Sequence, residues 1–369
     1  MRSMSLKQFL NISIFLIALL GLHIIVASPH DVCAAGPVAL KSMASVDGLR
    51  YGLPPQIEKN GLRFAFQEVP LNRPDVKARI LKEINYLLLD RRSRVFYWLS
   101  RADSLKATIS PILKTYNIPQ EFLYLAAIES NYNGRALSSA GAFGYWQFIK
   151  ATALCGPKGC PDYDWKRVIN NWKDERADLV KSTHSAARYL AWLNRVKKVS
   201  LNGHPDREGF NNWFLTAASY NAGPSRVIQR LNTYGTKSYW DTPLPIETEK
   251  YVPRWIALGI ISKNRDFYGL KIKPGTPTAF DTLEQIKLVK DLSFADVARM
   301  LNTTPRAIWS LNSQIPFEKS VFPARHGGVT IKHTIHVPKG TGKKLLAQLE
   351  AKGFKRSNQK IRSGSRMNH

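Results

Sequence analysis

Glu129 is the residue of this 369-residue chain whose neighbours best suit proton chemistry. It lies in the stretch 122–150, FLYLAAIESNYNGRALSSAGAFGYWQFIK. Seven residues after Phe122 and four after Leu125, it shares their apolar stripe on a helix. Burial there would push its pKa toward neutrality and keep on the carboxyl the proton that a general acid gives away. Taken alone, the helix equally allows a terminal Glu that points to solvent. The residues that follow favour the acid. Residues 133–145 hold three glycines, two serines and three alanines, a loop open to close approach by a ligand. Trp146, Gln147 and Phe148 then set aromatic rings beside an amide, the pairing a sugar site uses, since rings stack on pyranose faces and amides read hydroxyl or N-acetyl groups. Downstream, Ala218-Ser-Tyr-Asn-Ala-Gly223 closes a helix with a Tyr-Asn pair at a glycine, which alone would be an ordinary helix end.

Glycosidases with two carboxylates place the second roughly 5–10 Å from the first. Residues 130–160 contain no acid, and the pairs Asp162/Asp164 and Asp174/Glu175 read as solvated loop positions. The eight histidines are scattered, and His333 and His336, in a strand pattern, read as surface or packing residues rather than metal ligands. No metal and no cofactor are expected.

The elements that must carry these residues are helical. Val76, Ile80, Ile84, Leu87 and Leu88 recur at helical spacing, followed by a stripe through Phe96, Tyr97 and Leu99. Further helices are expected over 104–116, 118–131, 176–196, 209–221 and 251–262, separated by Gly-, Ser- and Pro-rich loops at 133–145, 155–165 and 235–247. Residues 36–75 read as an irregular lead-in, and no strand pattern precedes about residue 280. After Lys273-Pro-Gly-Thr-Pro277 a small β-α-α-β unit is expected over 280–338, with helices at 294–301 and 305–311 and a closing strand at 333–337. Thr304 before Pro305 is a suitable N-cap with proline at the first helical position. Residues 339–369 carry nine Lys/Arg against one Glu and read as a solvated tail with a short helix at 341–352.

Composition bounds the rest. The chain is 44% hydrophobic, too apolar for disorder, yet carries 54 Lys+Arg against 27 Asp+Glu, a net charge of +27. That surplus points to a polyanionic partner and excludes a near-neutral cytosolic enzyme as the default reading. Three cysteines exclude a disulfide-dense scaffold, and no Cys-x-x-Cys pair marks a zinc ribbon. Arg2 and Lys7 precede an apolar run from Phe9 to Val26, with small residues at 26–28 and 33–35, so residues 1–35 read as an export signal, either cleaved or kept as an anchor. The expected location is the periplasm or cell envelope. In an oxidising compartment Cys155 and Cys160, joined by Gly-Pro-Lys-Gly, would close a disulfide; the alternative is two free thiols.

Four blocks in order, Glu129-Ser130 with Ser138, Gly141-Ala-Phe-Gly144-Tyr-Trp-Gln147, Ala218 to Gly223 and Tyr251-Val-Pro-Arg254, resemble the soluble-type lytic transglycosylases of glycoside hydrolase family 23. Within that family they look most like the membrane-bound lytic murein transglycosylase D branch. The resemblance covers roughly 75–265. It implies a mainly α, goose-lysozyme-like catalytic domain over 76–268, with Glu129 as acid and then base at a helix end. Ser138, Gly144, Trp146 and Gln147 would line the groove, Tyr220 and Asn221 would meet the substrate N-acetyl region, and Tyr251 would sit near Glu129. The substrate's own acetamido group would stand in for the missing carboxylate, and its C6 hydroxyl would close a 1,6-anhydro product. The unit at 280–338 resembles a LysM module, which binds N-acetylglucosamine polymers, although Lys290-Asp291-Leu292 replaces the usual Gly-Asp opening. The expected partner is peptidoglycan, met by a monomer, with membrane or wall contact through the N-terminal segment and tail. Nucleic acid is not expected, because the basic residues form no recognition element. A hydrolytic muramidase and a non-catalytic wall-binding protein are the competing readings.

Overall fold

The apolar stripe beginning at Val76 forms a helix and buries every one of its expected members, Val76, Ile80, Ile84, Leu87 and Leu88. In the computed structural model the described residues are 51–154, 169–195, 210–273 and 275–355, with the backbone of 197–199, 205–209 and 362–363. The leader at 1–35, Cys155, Cys160, Asp162, Asp164 and residues 356–361 and 364–369 of the basic tail fall outside them; the described first half of that tail is not solvated as expected, because its helix at 342–351 buries Leu345 and Leu349 in the C-terminal core.

The lead-in is more regular than its sequence implied. Helix α1 (Pro55–Asn60) precedes a hairpin of β1 (Leu62–Phe64) and β2 (Gln67–Val69), paired Phe64 to Gln67. Its two-residue turn, Ala65-Phe66, has φ of 50° and 64°. That is the backbone of a type I′ turn without the Asn-Gly signal that announces one, which is why the strands were missed. Helix α2 (Pro74–Asn85) runs through a π-helical turn at Tyr86–Asp90 into the 24-residue α3 (Arg92–Thr115), so the stretch expected as separate segments is nearly continuous. Then come α4 (Leu123–Ser130), α5 (Lys150–Ala153), α6 (Leu179–Arg195), the antiparallel pair β3 (Lys197–Val199) and β4 (Pro205–Gly209), α7 (Trp213–Ala222), α8 (Pro224–Tyr234) and α9 (Ile246–Lys263). Helix α8 was not anticipated, although Pro224 in its first turn and Gly235 in the left-handed conformation after its end are the usual boundary signals.

Helix α9 is the axis of the helical domain. Tyr251 to Val252 and Trp255 to Ile261 are buried almost without interruption, as expected of a helix that is apolar all round and packed on several sides, here by α2, α4 and α7. Trp255 meets Phe64 edge-on at 4.8 Å and Phe122 at 4.5 Å, so the N-terminal hairpin is part of this core.

The C-terminal module keeps the expected β-α-α-β order. Strand β5 (Phe280–Lys287) precedes β6 (Leu292–Ser293), α10 (Phe294–Leu301), α11 (Pro305–Leu311), β7 (Val321–Phe322), β8 (Arg325–His326), β9 (Val329–Thr330), β10 (Lys332–Pro338), α12 (Gly342–Ala351) and β11 (Arg362–Ser363). Strands β10 and β11 flank β5 in a three-stranded antiparallel sheet. Ser293 and Asp296 form a reciprocal cap at the start of α10, and Thr304 caps α11 through the Ala307 amide. His333 and His336 are buried packing residues: His333 Nε2 faces the Pro323 carbonyl and His336 Nδ1 faces Thr282.

Residues 172–178 strap this module to the helices. Trp172 buries in the C-terminal core, the Asp174 amide donates to the Gln314 carbonyl at 2.7 Å, and Ser313 Oγ donates to the Ala177 carbonyl at 2.6 Å. Burial works to raise the Asp178 carboxyl, but His336 at 3.4 Å and Lys181 outweigh it and hold it well below the usual carboxylate range. Asp174 and Glu175, expected in solvent, are structural: Glu175 is buried between Lys173 and Lys181, and Asp174 pairs with Arg176.

Candidate active site

Glu129 is the penultimate residue of α4, whose inner face is Leu123, Leu125, Ala126, Ala127 and Ser130. The helix ends because Asn131 and Tyr132 both adopt the left-handed conformation, at φ of 55° and 54°. Trp98 Nε1 holds Asn131 Oδ1 at 2.7 Å, and Tyr132, buried, donates to the Leu123 carbonyl at 3.1 Å. Ser130 Oγ ties the helix end to the returning loop through the Tyr145 carbonyl at 2.7 Å. Glu129 is thereby set on a fixed backbone, which is the first demand of a general acid.

Its side chain, only partly exposed, accepts a short hydrogen bond from the Tyr251 hydroxyl of α9. Burial pushes the Glu129 carboxyl up to about 7; Tyr251 pulls the other way, and the charge of Glu247 adds a further rise. Tyr251 itself stays protonated, because burial and the Glu129 charge raise its pKa well above the ordinary phenol value. The alternative of a solvated Glu129 is thus set aside: the carboxyl carries a proton through most of the acidic to neutral range and has one fixed donor. Arg254, in the same block as Tyr251, turns to the buried Glu83 at 2.8 Å and lies over Tyr86, so it supports packing.

Tyr220 and Asn221 at the end of α7 are brought to the same place. Tyr220 donates to the Trp146 carbonyl at 2.6 Å, and its pKa is raised by burial and then by the Glu129 charge. Asn221 is gripped at both ends of its amide, accepting from Thr248 Oγ1 at 2.7 Å and donating to Glu247 Oε1 at 3.1 Å. Glu247, in the first turn of α9, is a second carboxylate that sequence reasoning missed. Its signal was only its place four residues before Tyr251.

The loop residues play different parts from those expected. Trp146 is fully buried, with Nε1 on Thr183 Oγ1 at 3.0 Å, so its ring packs the core and is closed to a sugar. Replacing it, Trp146→Ala, is expected to cost about 3–5 kcal/mol of stability, read from a urea midpoint. Gly144 is buried at φ 87°, and a Cβ there would lie 2.0 Å from the Arg176 carbonyl oxygen, so the glycine serves chain packing rather than ligand approach. Gln147 turns its amide inward to the Ala136 and Gly144 carbonyls, both at 2.9 Å. Ser138 Oγ accepts from the Ala142 amide at 3.0 Å and closes the turn 138–142. Arg176, held by Asp174, reaches the Gly141 and Phe148 carbonyls and fixes the loop from outside. Half-buried beside it, Tyr220 and Tyr189 lie 5.6 Å apart, and Trp192 stacks on Tyr189 at 5.7 Å. Among the described residues no three His, Cys, Asp or Glu side chains converge as a metal site.

Residues 108–242 match the family described as the transglycosylase SLT domain. The membrane-bound lytic murein transglycosylase D of Escherichia coli strain K12 is 30% identical over 221 residues, which is 58% of this chain and 43% of that protein. The protein of the same name from E. coli O6:H1 aligns with the same figures. The chain spans less than half the length of these relatives. A crystal structure of the 70 kDa soluble lytic transglycosylase of E. coli aligns over 62% of this chain and 43% of that one, at 21% identity and a TM-score of 0.33.

Proposed function

With residues 108–242 forming a transglycosylase SLT domain, we propose that this chain is an envelope-associated peptidoglycan lytic transglycosylase that cleaves between N-acetylmuramic acid and N-acetylglucosamine. The observation that carries the reading is Glu129, a carboxyl kept protonated near neutral pH by burial and aimed by Tyr251. In the reaction Glu129 gives its proton to the glycosidic oxygen as the C1–O bond breaks. The acetamido oxygen of the muramic acid stabilises the cation at C1, with Asn221 Nδ2 keeping one hydrogen for that group while Glu247 takes the other. Glu129, now a carboxylate, removes the proton of the C6 hydroxyl, whose oxygen bonds C1. The product is a 1,6-anhydro end, and the acid is regenerated without water.

Ser138, Gln147 and the loop they brace form one wall beside the acid, and Tyr189 and Tyr220 supply the rings for sugar stacking. Similarity of the 280–338 order to LysM supports reading the C-terminal module as a glycan-binding accessory. The relatives' printed name supports an envelope location; no helix among the described residues is long and apolar enough to cross a membrane.

Glu247 favours a second reading, hydrolysis, in which that carboxylate activates water as a base. Mass spectrometry of products from purified murein sacculi decides. Anhydro ends, lighter than reducing ends by one water, support the transglycosylase; reducing ends that vanish in Glu247→Gln support the hydrolase.

The pH dependence is a further test. The acid must start protonated, so kcat/KM should fall as pH rises through about 7. Tyr251→Phe removes the bond that favours the carboxylate, so the descending limb should move to higher pH while kcat drops roughly 10- to 100-fold from lost orientation. A limb that stays in place would mean Tyr251 does not act on Glu129.

A further inference from the structure

A cavity of about 770 Å³ opens between the first turns of α3, the turn after α4 and helix α11 of the C-terminal module. It starts at Asn131, two residues along from Glu129, and none of the lining residues is acidic. Four arginines line it: Arg94, Arg101, Arg135 and Arg306, with Tyr97 and Trp309 as aromatic walls. Arg94 and Arg306 are exposed and have no acidic partner among the described residues. Arg135 stacks on Trp309, its guanidinium carbon 3.5 Å from the ring centroid, and donates to the Trp309 carbonyl at 3.4 Å. Burial pushes the Arg135 pKa down to about 10, against the raising effects of Tyr145 and Glu318. Two further donors of lining residues, Arg101 Nε and Trp309 Nε1, are buried without a hydrogen-bond partner.

Such a set of cations is costly to hold together without anions, and guanidinium forks match carboxylates in paired hydrogen bonds. In a peptide-bearing strand the lactyl carboxyl of each muramic acid is tied up in the amide to its stem, so the carboxylates offered to four guanidiniums are those of the stem itself. Resting on the reading of the chain as a murein enzyme, we propose that this intermodule cavity binds the carboxylate-bearing peptide stem of the strand being cut. The volume suits a short peptide, within the range of roughly 300–1,000 Å³ usual for small-ligand sites. Tyr97 and Trp309 would cover its aliphatic parts, and the arginines would take its carboxylates. The C-terminal module thereby contributes Arg306 and Trp309 to substrate choice.

Calorimetric titration of the full chain with a free murein stem tetrapeptide tests this without any glycosidic bond in the ligand. Binding is expected, weakening at least tenfold when the carboxylates are amidated and at least tenfold in Arg94→Ala/Arg306→Ala. The same variant should lose turnover on peptide-bearing strands relative to peptide-stripped strands, through KM rather than kcat. The proposal is overturned if the tetrapeptide does not bind, if the amidated peptide or the variant binds as well as the original pair, or if inorganic phosphate competes as strongly as the peptide. Failure of the enzyme reading is read separately, as absence of any cleavage of peptide-stripped glycan by the unaltered chain.

Discussion

Glu129→Gln should abolish murein cleavage and, at the same time, stabilise the protein above neutral pH. The amide cannot donate an acidic proton or take one back, and general acid–base catalysis is worth roughly 10²–10⁴-fold, so turnover should fall by at least about 10³-fold when both roles are lost. The stability effect follows from the same carboxyl. Its folded pKa, about 7, lies above the ordinary 4.5, so ionisation opposes folding. The penalty is absent below about pH 4.5, grows as pH rises between those values, and levels off above about 7. At full ionisation it amounts to roughly 3 kcal/mol. Thermal midpoints of variant and parent should therefore coincide near pH 4.5 and separate in the variant's favour by pH 8. A variant that still clears sacculi within tenfold of the parent would remove Glu129 from the mechanism; equal midpoints at pH 8 would mean the carboxyl is solvated.

Gly144→Ala should unfold the active-site loop rather than merely weaken substrate binding. The new Cβ would stand 2.0 Å from the Arg176 carbonyl oxygen and 2.4 Å from its carbon, both backbone atoms, at a φ of 87° that side chains rarely adopt. Relief requires the loop and the strap at 172–178 to part, and that strap also holds the C-terminal module through Ser313, Gln314 and His336. Overpacking and backbone strain together should cost about 3–5 kcal/mol. Denaturant titration should show a lower midpoint with the slope unchanged. If stability stays within about 1 kcal/mol of the parent and only KM rises, the glycine serves ligand approach and the packing role is wrong.

The two cases mark where the chain could be read in advance. Glu129 was legible as the candidate acid because helical spacing puts it on the stripe of Phe122 and Leu125, and the small-residue loop that follows tipped a choice the helix alone leaves open. Trp146 was misread because an aromatic next to an amide in a small-residue loop has the same sequence whether the ring faces a ligand or the core; Thr183, 37 residues away, decides it. The packing of Gly144 against the Arg176 backbone was hidden for a similar reason, since the two residues stand far apart in sequence. Glu247 went unnoticed because proximity to Glu129 is created by α9 packing against α4, not by spacing. The Ala65-Phe66 turn escaped because its left-handed backbone is imposed by a hairpin that Phe64 anchors on Trp255.

Local order along the chain was therefore sufficient for the mainly helical class, the β-α-α-β module and the choice of Glu129 as the candidate acid, because helix periodicity and caps act within a few residues. Only the tertiary structure decided what surrounds that acid. Burial, the Tyr251 donor, the Glu247 charge and the arginine-lined cavity arise between segments far apart in sequence, and the field at one carboxyl depends on all of them at once.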